Sequence, residues 1–226
     1  DELVTAFVAS RVAPPTIDAH LDLGCGVGSV LLLLAWRFPA LRGVGVEAQA
    51  VSAALARRSI AFNGVGERVS VVEGDLRTVD LTERFPLITG TPPYFPVGSG
   101  AISERVQRAP AAFELRGGIE EYAEAASRFL REDGIFVVCN GVKGNHSEPL
   151  RNERALAAAG LTVVARLDVV PRAGKGVLFS VYTAQKGSVP GQSRPAVSTL
   201  VVRDAATRIT DDFAAVREHF GMPPLR

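Results

Sequence analysis

A glycine-rich turn set between an apolar strand and an apolar helix limits the fold of this chain more than any other feature. The segment "TIDAHLDLG" (16–24) alternates loosely and ends in glycine, as a strand does. "VGSVLLLLAWRF" (27–38) reads as a helix closed by Pro39. Between them runs "DLGCGVG" (22–28), with Gly24, Gly26 and Gly28 in a G-x-G-x-G rhythm rather than G-x-G-x-x-G. Glycines at such a turn let the backbone bend tightly and let a ligand approach it. Three readings stay open at this point: a bare strand-to-helix turn, a dinucleotide site, or another nucleoside site.

The pattern of strand and helix repeats along the chain. "LRGVGVE" (41–47) reads as a second strand and "AQAVSAALARRSIAFNG" (48–64) as an amphipathic helix with a glycine stop. "RVSVVEGD" (68–75) and "FPLITG" (85–90) are a third and a fourth strand. A helix is expected over 119–133, a fifth strand over 134–140 and a further helix over 148–160. Two strands, 161–170 and 176–186, then follow with only a basic turn between them, so they form an antiparallel hairpin. The chain ends with a short strand (197–202) and a helix (210–221) capped by Thr210; at its other end, residues 1–10 form a short helix. Alternating strands and helices require right-handed βαβ crossovers. The expected fold is therefore α/β and Rossmann-like: a seven-stranded, mostly parallel sheet with helices on both faces and a C-terminal antiparallel hairpin.

Composition excludes several alternatives. At 226 residues, 47% hydrophobic and 22% charged, the chain is long enough for one sizeable core and is not disordered. Its net charge of +1 gives no global attraction for nucleic acid. Residues 101–226 carry 17 basic and 14 acidic groups against 8 and 10 before them, a tilt compatible with a polyanionic partner. Two cysteines, Cys25 and Cys139, make no disulfide framework and fit a reducing, cytoplasmic setting. No apolar run approaches the length of a membrane span, and His20, His146 and His219 show no metal-ligand spacing. Neither a membrane nor a metal is expected as a partner, and a monomer is one reading of the assembly. The chain opens at Asp1 without a Met, so its natural N-terminus is expected to lie upstream.

The residues with chemical potential cluster at one end of the sheet. Asp22, the glycine turn with Cys25, Glu47 and Asp75-Leu76 all fall at the C-terminal ends of the first three strands. Ligands of open α/β sheets bind at that rim. Glu47 suits a ribose diol, Asp75 an exocyclic amine of adenine, and Val27 and Leu76 the faces of the ring. Each acid alone is also an ordinary turn or capping residue. After the fourth strand comes Thr91-Pro92-Pro93-Tyr94-Phe95, a rigid corner expected to be exposed, its carbonyls aimed by prolines that carry no competing N–H. A long loop follows, in which Arg105 and Arg108, like Arg172 and Lys175 of the hairpin turn, are candidates for phosphate contact.

Taken in order, "LDLGCGVG", "GVGVE", "VVEGDL" and "TPPYF" resemble a class I S-adenosylmethionine-dependent methyltransferase over nearly the whole chain. "FELRGGIEEYAEAASRFLREDGIFVVC", "VVPRAGKGVLFSVYTAQKG" and "STLVVRDAATRITDDFAAV" are further similar to the bacterial methyltransferases that modify N6 of an adenosine in valine tRNA. The resemblance implies one methyltransferase domain over 1–226, with 1–15 the remnant of an N-terminal segment that helps close the cofactor site and 187–226 a C-terminal extension. It implies S-adenosylmethionine held by Asp22, Gly24, Cys25, Gly26, Gly28, Glu47, Asp75 and Leu76. It implies catalysis by Thr91, Pro92, Pro93 and Tyr94, with Tyr94, Phe95, Arg105 and Arg108 on an RNA substrate. The family usually has Asn, Asp or Ser where this chain has Thr91. A hydroxyl still accepts one hydrogen bond, but from a shorter, β-branched side chain. Three consequences stay open: the same bond in altered geometry, a different amine such as a glutamine amide, or a site that binds cofactor yet turns over weakly.

Overall fold

The computed structural model describes residues 1–94, 117–141, 149–188, 191 and 194–224. Its elements run α1 (Glu2–Val12), β1 (Ala19–Leu23), α2 (Ser29–Arg37), β2 (Arg42–Glu47), α3 (Ala50–Phe62), β3 (Val69–Glu73) and β4 (Phe85–Gly90). They continue with α4 (Ile119–Phe129), β5 (Leu130–Gly141), α5 (Pro149–Ala158), β6 (Leu161–Val170), β7 (Phe179–Lys186), β8 (Ala196–Val201) and α6 (Asp211–Glu218). The strands form one sheet in the order β3-β2-β1-β4-β5-β7-β6-β8. β1 to β5 pair parallel, while β7 inserts antiparallel between β5 and β6. That is the expected Rossmann-like sheet with its closing hairpin.

Both faces of the sheet are covered, which is why β1 is buried along its whole length. Its odd-numbered residues Ala19, Leu21 and Leu23, with Ile88, Phe136 and Val138, pack against Tyr122, Ala126 and Phe129 of α4 and Leu156 of α5. Leu87, Val137, Cys139 and Val181 face the opposite way, onto Val4, Ala6 and Ala9 of α1, Val30 and Leu34 of α2 and Val216 of α6. Because strand side chains alternate, the even residues His20 and Asp22 of β1 share this second face.

Two details differ from the sequence reading. The sheet has eight strands rather than seven: Ala196–Val201 pairs parallel with β6, from Ala165↔Ala196 to Val170↔Val201, and extends the edge. The helix expected to reach residue 133 stops at Phe129. Leu130 is already extended (φ −77°, ψ 136°), is 1% exposed and pairs with Phe85. The register then shifts before Leu87↔Ile135. Core burial of Leu130 and a ladder bond outweigh one more helical turn of "REDG", which has little apolar surface to contribute.

Candidate active site

A cavity of about 490 Å³ opens at the C-terminal ends of β1 to β4. Its floor is the glycine turn. Gly24 sits at φ 62°, and a Cβ there would lie 2.0 Å from the Tyr122 hydroxyl, so the turn closes against α4 only without a side chain. Gly26, at φ 56°, is the opposite case: a Cβ would meet nothing within 4 Å, and the open space is the cavity that Gly26 lines. Gly28 (φ 89°) is the N-cap of α2 and does not reach the cavity wall. Cys25 points inward. Its Sγ fills the place where a Cβ on Gly45 would be (2.6 Å), and its N–H donates to the Val46 carbonyl at 3.0 Å. Burial pushes its thiol well up, so Cys25 offers packing and backbone rather than a reactive sulfur.

Glu47 ends β2 at 6% exposure and lines the cavity. Its Oε2 accepts the Gly26 N–H at 2.9 Å and its Oε1 the Gln49 N–H at 2.7 Å. The carboxylate thus fastens the glycine turn to the start of α3 and keeps further lone pairs for a ligand's hydroxyls. Asp75 and Leu76 line the opposite side. Arg77 grips Asp75, with Nε 2.9 Å from Oδ1 and Nη2 2.5 Å from Oδ2, which fixes the carboxylate's orientation.

Asp22 is placed beneath the cavity and not on its wall. It is 1% exposed; Oδ1 accepts the Thr89 hydroxyl at 2.7 Å and Oδ2 has no partner. Burial raises its pKa to about 7.

Thr91, Pro92, Pro93 and Tyr94 all line the same cavity as Gly24, Gly26, Glu47 and Asp75. The corner is not exposed as its sequence suggests: Pro92 is buried and the other three are half-buried. The Tyr94 hydroxyl donates to Asp1 Oδ2 at 2.8 Å and lies 3.4 Å from Cys139 Sγ. Its ring stacks on Phe179, centroids 6.4 Å apart at 23°, and crosses Gly141, where a Cβ would come within 2.9 Å of the ring. One side of the ring is therefore spent on β7 and β5. Phe95, Arg105 and Arg108 lie outside the described residues, as does most of the long loop expected after the corner.

Sequence reasoning missed part of the wall: Glu2, Gln49, Ser52, Gly117 and Tyr122. Gln49 and Ser52 were within reach, being two and five residues past Glu47 at the start of the next helix. Tyr122 carries no such signal, because helical spacing assigns it to the core with Ile119 and Ala126. Among the described residues no helix is long and apolar enough to cross a membrane, and no group of three or more potential ligands gathers for a metal.

A family model described as a methyltransferase domain matches residues 21–111. The tRNA1(Val) (adenine(37)-N6)-methyltransferase of Porphyromonas gingivalis is 27% identical over 229 residues, 97% of this chain and 86% of the relative. The release factor glutamine methyltransferase of Chlorobaculum tepidum is 31% identical over 169 residues; the match takes in 67% of this chain and just over half, 56%, of that relative. Among solved structures, a predicted O-methyltransferase from Agrobacterium tumefaciens superposes with a TM-score of 0.67 at 20% identity, covering 97% of both chains. A glycine turn with open space above it and a buried, half-satisfied carboxylate beneath suit a ligand that joins a nucleoside to a cationic tail. The chain is an S-adenosylmethionine-dependent methyltransferase of the class I fold.

Proposed function

We propose that this enzyme methylates the N6 amino group of an adenosine in tRNA. The observation that carries the reading is that Thr91, Pro92, Pro93 and Tyr94 share one cavity with Gly26, Glu47 and Asp75, so an amine held by the first group meets a donor held by the second. The likeness to the tRNA1(Val) enzyme over 97% of the chain supports the choice of substrate. In this reading the protein is one domain, with β8 and α6 as an extension built onto the same sheet.

S-adenosylmethionine supplies a methyl group on sulfonium sulfur. Gly24 and Gly26 give its tail access to the backbone, Glu47 takes the ribose hydroxyls, and Asp75 with Leu76 takes the adenine. An adenine amino group is a poor nucleophile because its lone pair is delocalised into the ring. Thr91 Oγ1 and the Pro92 carbonyl would accept its two N–H groups and localise the lone pair toward the side of the cavity where Gly26, Glu47 and Asp75 would hold the donor. Catalysis is then positioning and electrostatics. The cavity side of Tyr94 gives the target base a flat surface worth roughly 1–3 kcal/mol, and a structured RNA has to turn its base out to reach it.

The likeness to release factor glutamine methyltransferase supports a second reading, a glutamine amide held by the same acceptors. Incubation with methyl-labelled cofactor and bulk tRNA, followed by digestion to nucleosides, separates the two. Labelled N6-methyladenosine is the expected product. Unlabelled RNA beside labelled protein in a bacterial lysate moves the assignment to the amide.

A further inference from the structure

Three polar side chains form a chain of hydrogen bonds inside the sheet, in a place otherwise given to apolar packing. His20 on β1 and Thr89 on β4 are 0% exposed and Asp22 is 1% exposed. Their neighbours on that face of the sheet are Leu87, Val137 and Cys139. Asp22 stands beside Thr89 in register, with His20 two residues earlier on the same strand. His20 Nε2 lies 2.8 Å from Thr89 Oγ1, and Thr89 Oγ1 donates to Asp22 Oδ1 at 2.7 Å. With Asp22 ionised and the one Thr89 hydrogen given to it, the Thr89 oxygen is an acceptor toward His20, and the imidazole proton then sits on Nε2. The chain runs one way, from imidazole N–H to hydroxyl to carboxylate. Both ends are left open: His20 Nδ1 and Asp22 Oδ2 have no partner. Burying three such groups is costly unless they are hydrogen-bonded, and with two of their polar atoms unpaired the arrangement calls for a purpose beyond stability.

The purpose follows from position. Asp22 lies two residues before Gly24, beneath the cavity. Its carboxylate feels Glu2 and Glu47, both of which line that cavity. We propose that Thr89, and His20 through it, are positioning residues for the cofactor: they hold Asp22 by one oxygen and support its negative charge, so that the cavity above attracts the cationic tail of S-adenosylmethionine. The inference rests on the cofactor site lying in this cavity and is independent of which amine is methylated.

Among the described residues, groups from several elements bear on Asp22. Burial opposes its ionisation most strongly, and Glu2 on α1 and Glu47 on β2 oppose it further. Thr89 on β4 favours ionisation, as does the Leu31 N–H in the first turn of α2, which influences the carboxylate without reaching hydrogen-bond geometry. Cys25 and Tyr122 of α4 are neutral neighbours whose own ionisation burial suppresses. His20 is kept neutral by burial. An arriving cation therefore finds Asp22 poised between its two forms near neutral pH and draws it to the ionised one.

Calorimetric titration of the protein with S-adenosylhomocysteine and with S-adenosylmethionine from pH 5.5 to 8.5, in two buffers of different ionisation enthalpy, tests this. In the wild type, affinity is expected to rise with pH up to about 7 and then level off. Binding below that point should release a proton. Thr89→Val keeps the shape and removes the donor, so the break should move to higher pH and affinity at pH 7 should fall by about tenfold or more. Thr89→Ser should restore both. His20→Leu should shift the break in the same direction, by less. Absence of any binding by the wild type overturns the assignment of the cofactor site itself. Binding that is flat with pH in the wild type, or equal in Thr89→Val and wild type, overturns the positioning role and leaves the site standing. If Thr89→Val fails to fold, His20→Leu decides the matter: an affinity and a break unchanged from wild type overturn the positioning role, and a shifted break supports it.

Discussion

Glu47 shows how much one carboxylate can hold at this rim. It accepts the N–H groups of Gly26 and Gln49 and, as proposed, the hydroxyls of the cofactor's ribose. Hydrogen bonds to a charged acceptor contribute roughly 1.5–3 kcal/mol each. Glu47→Ala should accordingly weaken S-adenosylhomocysteine binding by about tenfold to a hundredfold in calorimetry, and it should lower the melting temperature as well, because Gly26 and Gln49 lose their acceptor. Thr91 has a different duty. It contacts the amine and not the donor, so Thr91→Ala should lower kcat by about a hundredfold, the scale of a misplaced reacting group. The Kd for the cofactor should stay as it was. Thr91→Asn restores the longer acceptor; a turnover equal to or above wild type is the expected outcome on tRNA, and a loss would mean that the cavity is shaped for a different amine.

At the scale of elements, the glycine turn, the ends of β2 and β3 and the diproline corner were all legible, because each is fixed by local rules: positive φ, strand ends and locked proline backbones. What was not legible depends on partners distant in sequence. Tyr94 turns inward because Phe179, Gly141, Cys139 and Asp1 receive it, none of them near it in the chain. The strand beginning at Leu130 is chosen by Phe85 across the sheet. Gly24 joins the two kinds of constraint, since its own φ calls for glycine and so does the Tyr122 hydroxyl of α4. Gly24→Ala should cost about 1–2 kcal/mol from the left-handed backbone alone, with the clash at Tyr122 added to it. In urea titration it should unfold at clearly lower denaturant than wild type. Gly26→Ala has the same backbone cost and no clash. It should be milder in stability yet equally damaging to cofactor binding, because the new methyl stands in the cavity.

For the molecule as a whole, the polar chain inside the sheet makes a pattern that neither residue shows alone. Asp22 has a folded pKa near 7, above its ordinary 3.8, so between those values the folded state holds more protons than the unfolded one. Its contribution to stability is therefore present at low pH and is lost as pH rises to about 7. His20 is the reverse: its folded pKa is near 3 against an ordinary 6.5, so the unfolded state holds more protons. Its contribution is lost as pH falls through 6.5 toward 3. Over the shared span, from about pH 4 to 6.5, the two slopes have opposite signs and nearly equal size. The sheet can thus bury a histidine and an aspartate on one face without becoming steeply pH-dependent in the absence of cofactor. Removing one partner exposes the other. Relative to wild type, His20→Leu should lose stability from pH 4.5 to 6.5 at a slope of up to about 1.4 kcal/mol per pH unit. Asp22→Asn should gain stability over the same range. Urea midpoints at three pH values for the three proteins measure both slopes. Parallel lines for wild type and His20→Leu would mean that His20 does not charge on unfolding in this range, and the compensation would be lost with it.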